Sequence, residues 1–446
     1  MISEKQLGTA GGVQRPATVA VIGSGVSGLV AAYVAARGGA RVTLYEGQAK
    51  AGGHADTTTV REGDRDLAID TGFIVHNRGT YPVLCRLFEE LGVATQPSEM
   101  SMSIADDSTG LEWAGARGFF GIFPTLRNLI RIRFLRMLVE IPRFHRQASR
   151  LLRDDEAQGQ ATLREFLAVG RYSDYFVRHF MEPLVAAVWS CDPQIALEYP
   201  ARYLFAFLQN HGMLSVFGSP TWRTVTGGSR EYVDRVVDTI ADVRLGRIVT
   251  SVYEHEDGVE VVDSDLEQTC FDAVVIATHP LQALHMLTSP TTMQQEILAA
   301  MPYSANRAVL HTDTSLMPRA RRTWSSWNFR RVRETEGPVV VTYDLTRLQR
   351  LDTEVHYLVT LGAEDLIDPS TILATRDYEH PLYTPTSVSA QARLPQINTP
   401  RLAFSGAYHG WGFHEDGARS GLNAAGHFGY EWLAAAVDER DRAVAP

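Results

Sequence analysis

The feature that most constrains this fold lies at residues 17–37. Residues 17–22 (ATVAVI) are apolar and rich in β-branched side chains, the pattern of a strand covered on both faces in a parallel sheet. They run directly into Gly23-Ser24-Gly25-Val26-Ser27-Gly28, and residues 29–37 (LVAAYVAAR) continue as a helix pattern. Gly23 permits the tight turn, Gly25 lets a pyrophosphate approach the backbone, and Gly28 lets helix pack closely on strand. Ser24 and Ser27 belong to the same turn, at a helix N-terminus suited to phosphate. A second strand, residues 40–45 (ARVTLY), ends in Glu46, about 20 residues beyond the glycines, where an acid can accept ribose hydroxyls. A glycine triplet alone is weak evidence. With the strand, the helix and the acid in place, a bound dinucleotide is the expectation.

Bulk properties narrow the partners. A net charge of −10 argues against nucleic acid, which needs a basic footprint. The three cysteines (Cys85, Cys191, Cys270) are too scattered for a disulfide framework or a thiolate metal site, and a reducing compartment is the simplest reading. Residues 1–16 lack the apolar core of a secretory leader, and no apolar run reaches the roughly 18 residues of a membrane span. A cytoplasmic protein is expected, with peripheral membrane contact left open. The 446 residues hold 40 arginines but only two lysines, Lys5 and Lys50.

Glu46 is followed by Gly47-Gln48-Ala49-Lys50-Ala51-Gly52-Gly53-His54. This resembles the E-x-x-x-[RK]-x-G-G segment of the amine oxidase, protoporphyrinogen oxidase and phytoene desaturase superfamily of flavoenzymes. The resemblance implies FAD, with Glu46 on the adenosine ribose and Gly47, Gly52, Gly53 and His54 along the diphosphate and ribityl chain. Asp70-Thr71-Gly72-Phe73 is similar to the family's next flavin-contacting turn. Gly227-Gly228-Ser229 is similar to the turn that returns the chain to the FAD domain. An extended segment at 245–252 would then bring the Val249 backbone to adenine, and residues 271–278 (FDAVVIAT) would end at Ala277 and Thr278 beside the diphosphate. Residues 402–425 look like the closing segment, in which Gly406, Gly412, Phe413, His414, Glu415 and Asp416 would contact the cofactor from a helix beginning near Asp416. Relatives often carry an acid after the first glycine of that segment. Here Ala407 follows Gly406, and Asp416 or Glu415 is left to fill the role.

No second dinucleotide fingerprint is visible, because Gly410-Trp411-Gly412 lacks a third glycine. No Cys or His stands in a covalent-attachment motif, so FAD is expected to be non-covalent. The implied class is α/β: a Rossmann-like FAD domain of the glutathione-reductase type (17–75, 227–280 and 401–436) with an inserted mixed sheet-and-helix substrate domain (76–226 and 281–400). Residues 1–16 and 437–446 are expected as flexible tails. The first insertion reads as mostly helical, including one helix over 126–153, and the second carries strand-like runs at 308–312, 338–342 and 356–361. Between 119 and 153 aromatic and aliphatic residues alternate with eight arginines, a basic amphipathic pattern suited to an anionic membrane surface or to a salt-bridged surface helix.

Many amine-oxidising relatives depend on a lysine near the flavin. Lys5 sits in the expected tail and Lys50 in the diphosphate segment, which disfavours amines. Residues 187–190, 222–233, 325–328 and 406–421 resemble a bacterial subgroup of FAD-binding proteins often encoded beside cyclopropane-fatty-acid-synthase-like methyltransferases. That implies a hydrophobic substrate, an unsaturated or methyl-branched acyl chain undergoing desaturation, oxidation or double-bond isomerisation, and a methyltransferase partner. The alternatives are an amine or tetrapyrrole oxidase, or a non-catalytic flavin-binding partner of such a methyltransferase. Candidate catalytic groups are Tyr408, His409, His414 and Glu415, for proton transfer or for steering charge at the flavin. His409, His414 and Glu415 lack a metal-ligand spacing, and no metal is expected.

Overall fold

The computed structural model describes residues 15–154, 161–189, 193–215, 220–332 and 340–432. Lys5, Ser190, Cys191, the first two residues of the strand expected at 338–342, residues 433–436 of the FAD segment and nearly all of both expected tails lie outside them.

Five parallel strands form the first sheet. β1 (Thr18–Ile22) leads into α1 (Val26–Arg37) and β2 (Arg41–Glu46). β3 (Asp242–Leu245), β4 (Ala273–Ile276) and β5 (Leu402–Phe404) join much later, in spatial order β3-β2-β1-β4-β5. Alternation along β1 explains its apolar run. Val19 and Val21 pack with Val42, Leu44 and Val275 in one core, while Ala20 and Ile22 pack with Tyr45, Val274 and Ile276 in another. Both faces are covered, so neither can be polar.

The closing helix, α2 (His414–His427), begins two residues before the sequence expectation and lies against α1. The two backbones nearly touch. A Cβ on Gly421 would stand 2.0 Å from the Ser27 carbonyl oxygen, and one on Gly417 2.6 Å from Val26 Cγ1. Small residues at these turns bring both helix N-termini to the C-terminal edge of the sheet.

A seven-stranded mixed sheet stands opposite. It runs in space from Ile372–Pro381 through Tyr303–His311, Leu358–Leu361, Val340–Asp344 and Trp327–Arg331 to Met102–Asp106 and Leu111–Trp113. The last two strands come from the insertion read as mostly helical. Met102–Asp106 pairs in parallel with Trp327–Arg331, a long-range register that no local pattern announces. The helix expected over 126–153 is two, Leu126–Ile130 and Ile132–Arg153, broken at Arg131, whose ψ of 94° is extended. Smaller sheets complete the frame, among them the hairpin Thr57–Glu62/Arg65–Asp70 and the antiparallel ribbon Val249–Glu254, Val259–Asp263, Gln268–Phe271.

Gly421→Ala should force α1 and α2 apart and destabilise the protein by about 1–3 kcal/mol, as overpacking does. Thermal unfolding will show this as a lowered Tm; an unchanged Tm would contradict the close packing.

Candidate active site

A cavity of ≈ 1170 Å³ lies where the C-terminal edge of the parallel sheet faces the seven-stranded sheet. Ligands bind at that edge in open α/β folds. The volume exceeds the roughly 300–1,000 Å³ of an ordinary small-molecule pocket, leaving room for more than one ligand.

The sheet side of the cavity holds the glycine turn. Gly23 has φ +101°, and a Cβ there would meet the Ala277 carbonyl oxygen at 2.7 Å. Gly28 does not line the cavity; its Cβ would stand 1.9 Å from the Gly23 carbonyl oxygen, so it serves helix–strand packing. Gly25 has no atom within 4 Å of a Cβ position, leaving bare backbone facing the cavity at the mouth of α1. Ser24 and Ser27 line the same wall. The Glu46 carboxylate accepts hydrogen bonds from the Ser24 amide (3.0 Å), the Ser24 hydroxyl (2.5 Å) and the Gln48 amide (2.8 Å). It is thereby fixed beside the turn.

Gly47 and Val249 line the outer part of this wall. Gly53 approaches Gly25 backbone to backbone, at 3.1 Å from its Cβ position. Gly52, at φ +121°, stays off the cavity and turns the segment, its amide donating to the Ser24 hydroxyl and carbonyl. His54, Gly72 and Phe73 reach the cavity together because the Phe73 amide donates to the His54 carbonyl at 2.7 Å. Ala277 and Thr278 close the end of β4. Asp70, which opens the second expected flavin turn, points elsewhere. Its buried carboxylate accepts from the Thr57 hydroxyl and from the amide and hydroxyl of Ser229, stapling the Gly227-Gly228-Ser229 turn to the hairpin.

The closing segment divides. Gly406, Tyr408, Gly412, Phe413 and His414 line the cavity; His409, Glu415 and Asp416 do not. The Glu415 carboxylate accepts from the Val83 and Leu84 amides, both at 3.0 Å, at the start of helix Pro82–Leu91, whose own N-cap residue offers no side-chain bond. It is a helix cap supplied from 330 residues away, which suits an anion at a helix N-terminus. Arg419 also contacts it at 3.2 Å. Asp416 accepts from the Phe413 amide at 3.0 Å and closes its own loop, and burial pushes its pKa up to about 7. His409 and Glu415, expected as catalytic groups, and Asp416, expected with Glu415 at the cofactor, lie off the cavity wall, where Glu415 and Asp416 hold backbone amides.

His414 stacks on Phe73 at 3.8 Å between ring centres, and its Nε2 lies 3.1 Å from the Tyr232 hydroxyl. Burial drives its pKa down to about 3, so the ring is neutral. The Tyr408 hydroxyl and His54 Nε2 are buried without a partner among the described residues. Lys50 forms an ion pair with Asp56 at 2.5 Å, and no described lysine lines the cavity.

Sequence reasoning missed the opposite wall. His279 Nδ1 is hydrogen-bonded to the Glu379 carboxylate at 2.7 Å, and Tyr303, Tyr378 and His380 stand beside them. They meet through strand register, Ser304 opposite His380 and Ala305 opposite Glu379, which leaves no local signal. An aromatic end was missed as well. Phe207 stacks on Phe413 at 4.7 Å and meets Trp189 at 4.6 Å, and Trp222 and Met213 adjoin them.

A sequence model of the family described as "flavin containing amine oxidoreductase" matches residues 26–427. The chain belongs to that family. This FAD-dependent oxidoreductase shares its fold with solved structures of low sequence identity. It is similar to cyclohexylamine oxidase from Brevibacterium oxydans at 19% identity and TM-score 0.67, covering 93% of this chain and 98% of that one. A fatty acid isomerase from P. acnes that produces CLA aligns at 12% identity and TM-score 0.64, covering 90% and 96%. Putrescine oxidase bound to putrescine aligns at 16% identity and TM-score 0.66, covering 92% and 98%. The residues present fit FAD: bare backbone at Gly25, a fixed acid at Glu46, and unpartnered buried polar atoms at His54 and Tyr408.

Two predictions follow from the geometry. Glu415→Gln should destabilise the protein by about 1–3 kcal/mol by weakening the two amide bonds, while flavin content in the folded fraction stays stoichiometric. Loss of flavin without loss of Tm would return Glu415 to the cofactor. The second concerns pH. His76, His311, His380 and His409 have pKa values near 4 and His414 near 3, against 6.5 in the unfolded chain. Their unfolded forms bind protons that the folded forms refuse, so stability falls as pH drops from 6.5 towards 4. Asp70, raised to about 6, and Asp416, raised to about 7, act in the opposite sense over the same window. Five groups outweigh two, and the urea midpoint should be lower at pH 5 than at pH 7.

Proposed function

We propose that this enzyme removes hydride from a C–H bond of a hydrophobic acyl chain, giving desaturation, oxidation or double-bond isomerisation. The observation that carries this reading is the character of the cavity away from the glycine turn. Ile74, Val75, Met100, Val188, Val359 and Leu361 line it together with the aromatic cluster around Phe207. The carboxylates that reach the cavity are already engaged or face solvent. Asp56 is held by Lys50 and Arg376, Glu46 accepts from the Ser24 and Gln48 amides, Glu379 is half exposed and hydrogen-bonded to His279, and Asp377 is 84% exposed. A protonated amine would find no free buried counter-charge among these, and desolvating an unpaired ammonium is costly. An alkyl chain has no such cost and gains from burial.

The bound FAD supplies the two-electron acceptor. The protein supplies position. Phe207, Phe413 and Trp189 form a rigid wall against which a chain can lie. His414 is held by its stack on Phe73 and its contact with Tyr232, and as a neutral ring it positions its neighbours and adds no charge. Gly23, Ser24, Gly25, Ser27, Glu46, Gly53 and His54 are the residues we assign to holding the cofactor. The fold alone does not choose among chemistries, since its solved neighbours bear the names of amine oxidases and of a fatty acid isomerase.

The test is anaerobic incubation of the purified holoenzyme with unsaturated fatty acids or phospholipids, aliphatic amines and a porphyrinogen. The visible flavin band and the products, resolved by mass spectrometry and chromatography, would be followed together. Bleaching or a rearranged double bond with the acyl panel alone is expected. Bleaching by an amine or the porphyrinogen, with acyl chains unchanged, would overturn the reading.

A further inference from the structure

Residues 118–139 form an exposed face unlike the rest of this acidic molecule. Phe119 and Phe120 (61% and 65% exposed) sit on a short helix at Gly118–Ile122, and Leu126 and Ile130 (83% and 78%) on the next at Leu126–Ile130. The long helix Ile132–Arg153 then opens with Ile132, Leu135 and Val139 exposed at helical spacing. Its other side is the buried stripe Phe134, Met137, Phe144 and Ala148, so the core already has its share of the helix. The outward apolar stripe is additional to what folding requires.

The arginines around this face are not neutralised. Arg127, Arg131 and Arg133 have no carboxylate within ion-pair distance among the described residues, although Arg117 and Arg136 at its margin pair with Glu99 and Glu140. The fold adds a second basic segment from far along the chain. Arg322 places its guanidinium 5.7 Å from the Phe120 ring centre, next to Arg319 and Arg321, and none of the three pairs with a described carboxylate. Glu112, the acid nearest this junction, is occupied by the Arg319 and Ala320 amides. A chain of net charge −10 thus gathers unpaired arginines from two distant segments around protruding Phe, Leu and Ile side chains. No described helix is long and apolar enough to cross a membrane.

We infer that this face docks the enzyme on an anionic phospholipid surface, with the apolar side chains entering the headgroup boundary and the arginines meeting lipid phosphates. Shallow insertion of an apolar stripe flanked by arginine is how interfacial helices bind anionic lipid. A second copy docked face to face would bring the same arginines together.

The holoenzyme should co-sediment with vesicles of phosphatidylglycerol and phosphatidylcholine, should not do so with phosphatidylcholine alone, and should be released by salt. Phe120→Ser with Ile130→Ser should abolish sedimentation. Arg127→Gln, Arg133→Gln and Arg322→Gln together should weaken partitioning about a hundredfold, from roughly one kcal/mol for each basic residue. All these side chains are exposed, so flavin content and Tm should stay at wild-type values. That control separates lost docking from lost folding. Equal sedimentation with both vesicle types, or none with either, would overturn the inference. So would a concentration-dependent dimer that the Ser variants dissolve, which would assign the face to a second copy. Vesicle binding is read without turnover, so its outcome and that of the acyl-chain test are independent.

Discussion

The contact between α1 and α2 is the constraint on which the rest of the structure depends. Nearly 400 residues separate Ser27 from Gly421, yet the two backbones meet with no space for a single methyl group. That approach sets both helix N-termini at one edge of the sheet, where their amides and partial positive charge converge on the cavity. The discontinuous parallel sheet follows from the same need. β4 and β5 must return beside β1 for α2 to reach α1, and everything between them is displaced outward to form the opposite wall.

Buried acids hold this arrangement together. Glu415 caps the helix at Pro82–Leu91, Asp416 closes the loop before α2, and Asp70 ties the glycine turn at 227–229 to the hairpin. Each accepts from backbone amides that would otherwise be buried unsatisfied, which is the more costly error in a dry interior. Density of polar residues in a motif therefore misleads. Glu415 and Asp416 stand next to His414 on α2, but a helix turning by about 100° per residue sends neighbours to different surroundings.

What could be read from the sequence was local. The turn at Gly23–Gly28 and the acid Glu46 depend on spacings fixed by backbone geometry, and the structure brings them together as those spacings require. Long-range register could not be read this way. The pairing of Met102–Asp106 with Trp327–Arg331, and the placing of His380 and Glu379 over the cavity, arise from strands that carry no mark of their partners. The break at Arg131 was hidden because apolar spacing continues through it on both sides.

The cation inventory ties these levels to the chemistry. Arginine keeps its proton at any physiological pH, whereas lysine can lose one when buried. With Lys50 locked to Asp56, none of the described cations at the cavity can act as a base, and proton chemistry falls to histidines. Burial holds His380 and His414 neutral, so they are weak bases that bring no charge to the pocket. Such a site is poorly suited to deprotonating an ammonium substrate. On the reading proposed above, a neutral substrate whose reacting bond needs little more than alignment would lie as an alkyl chain against the Phe207–Phe413 stack.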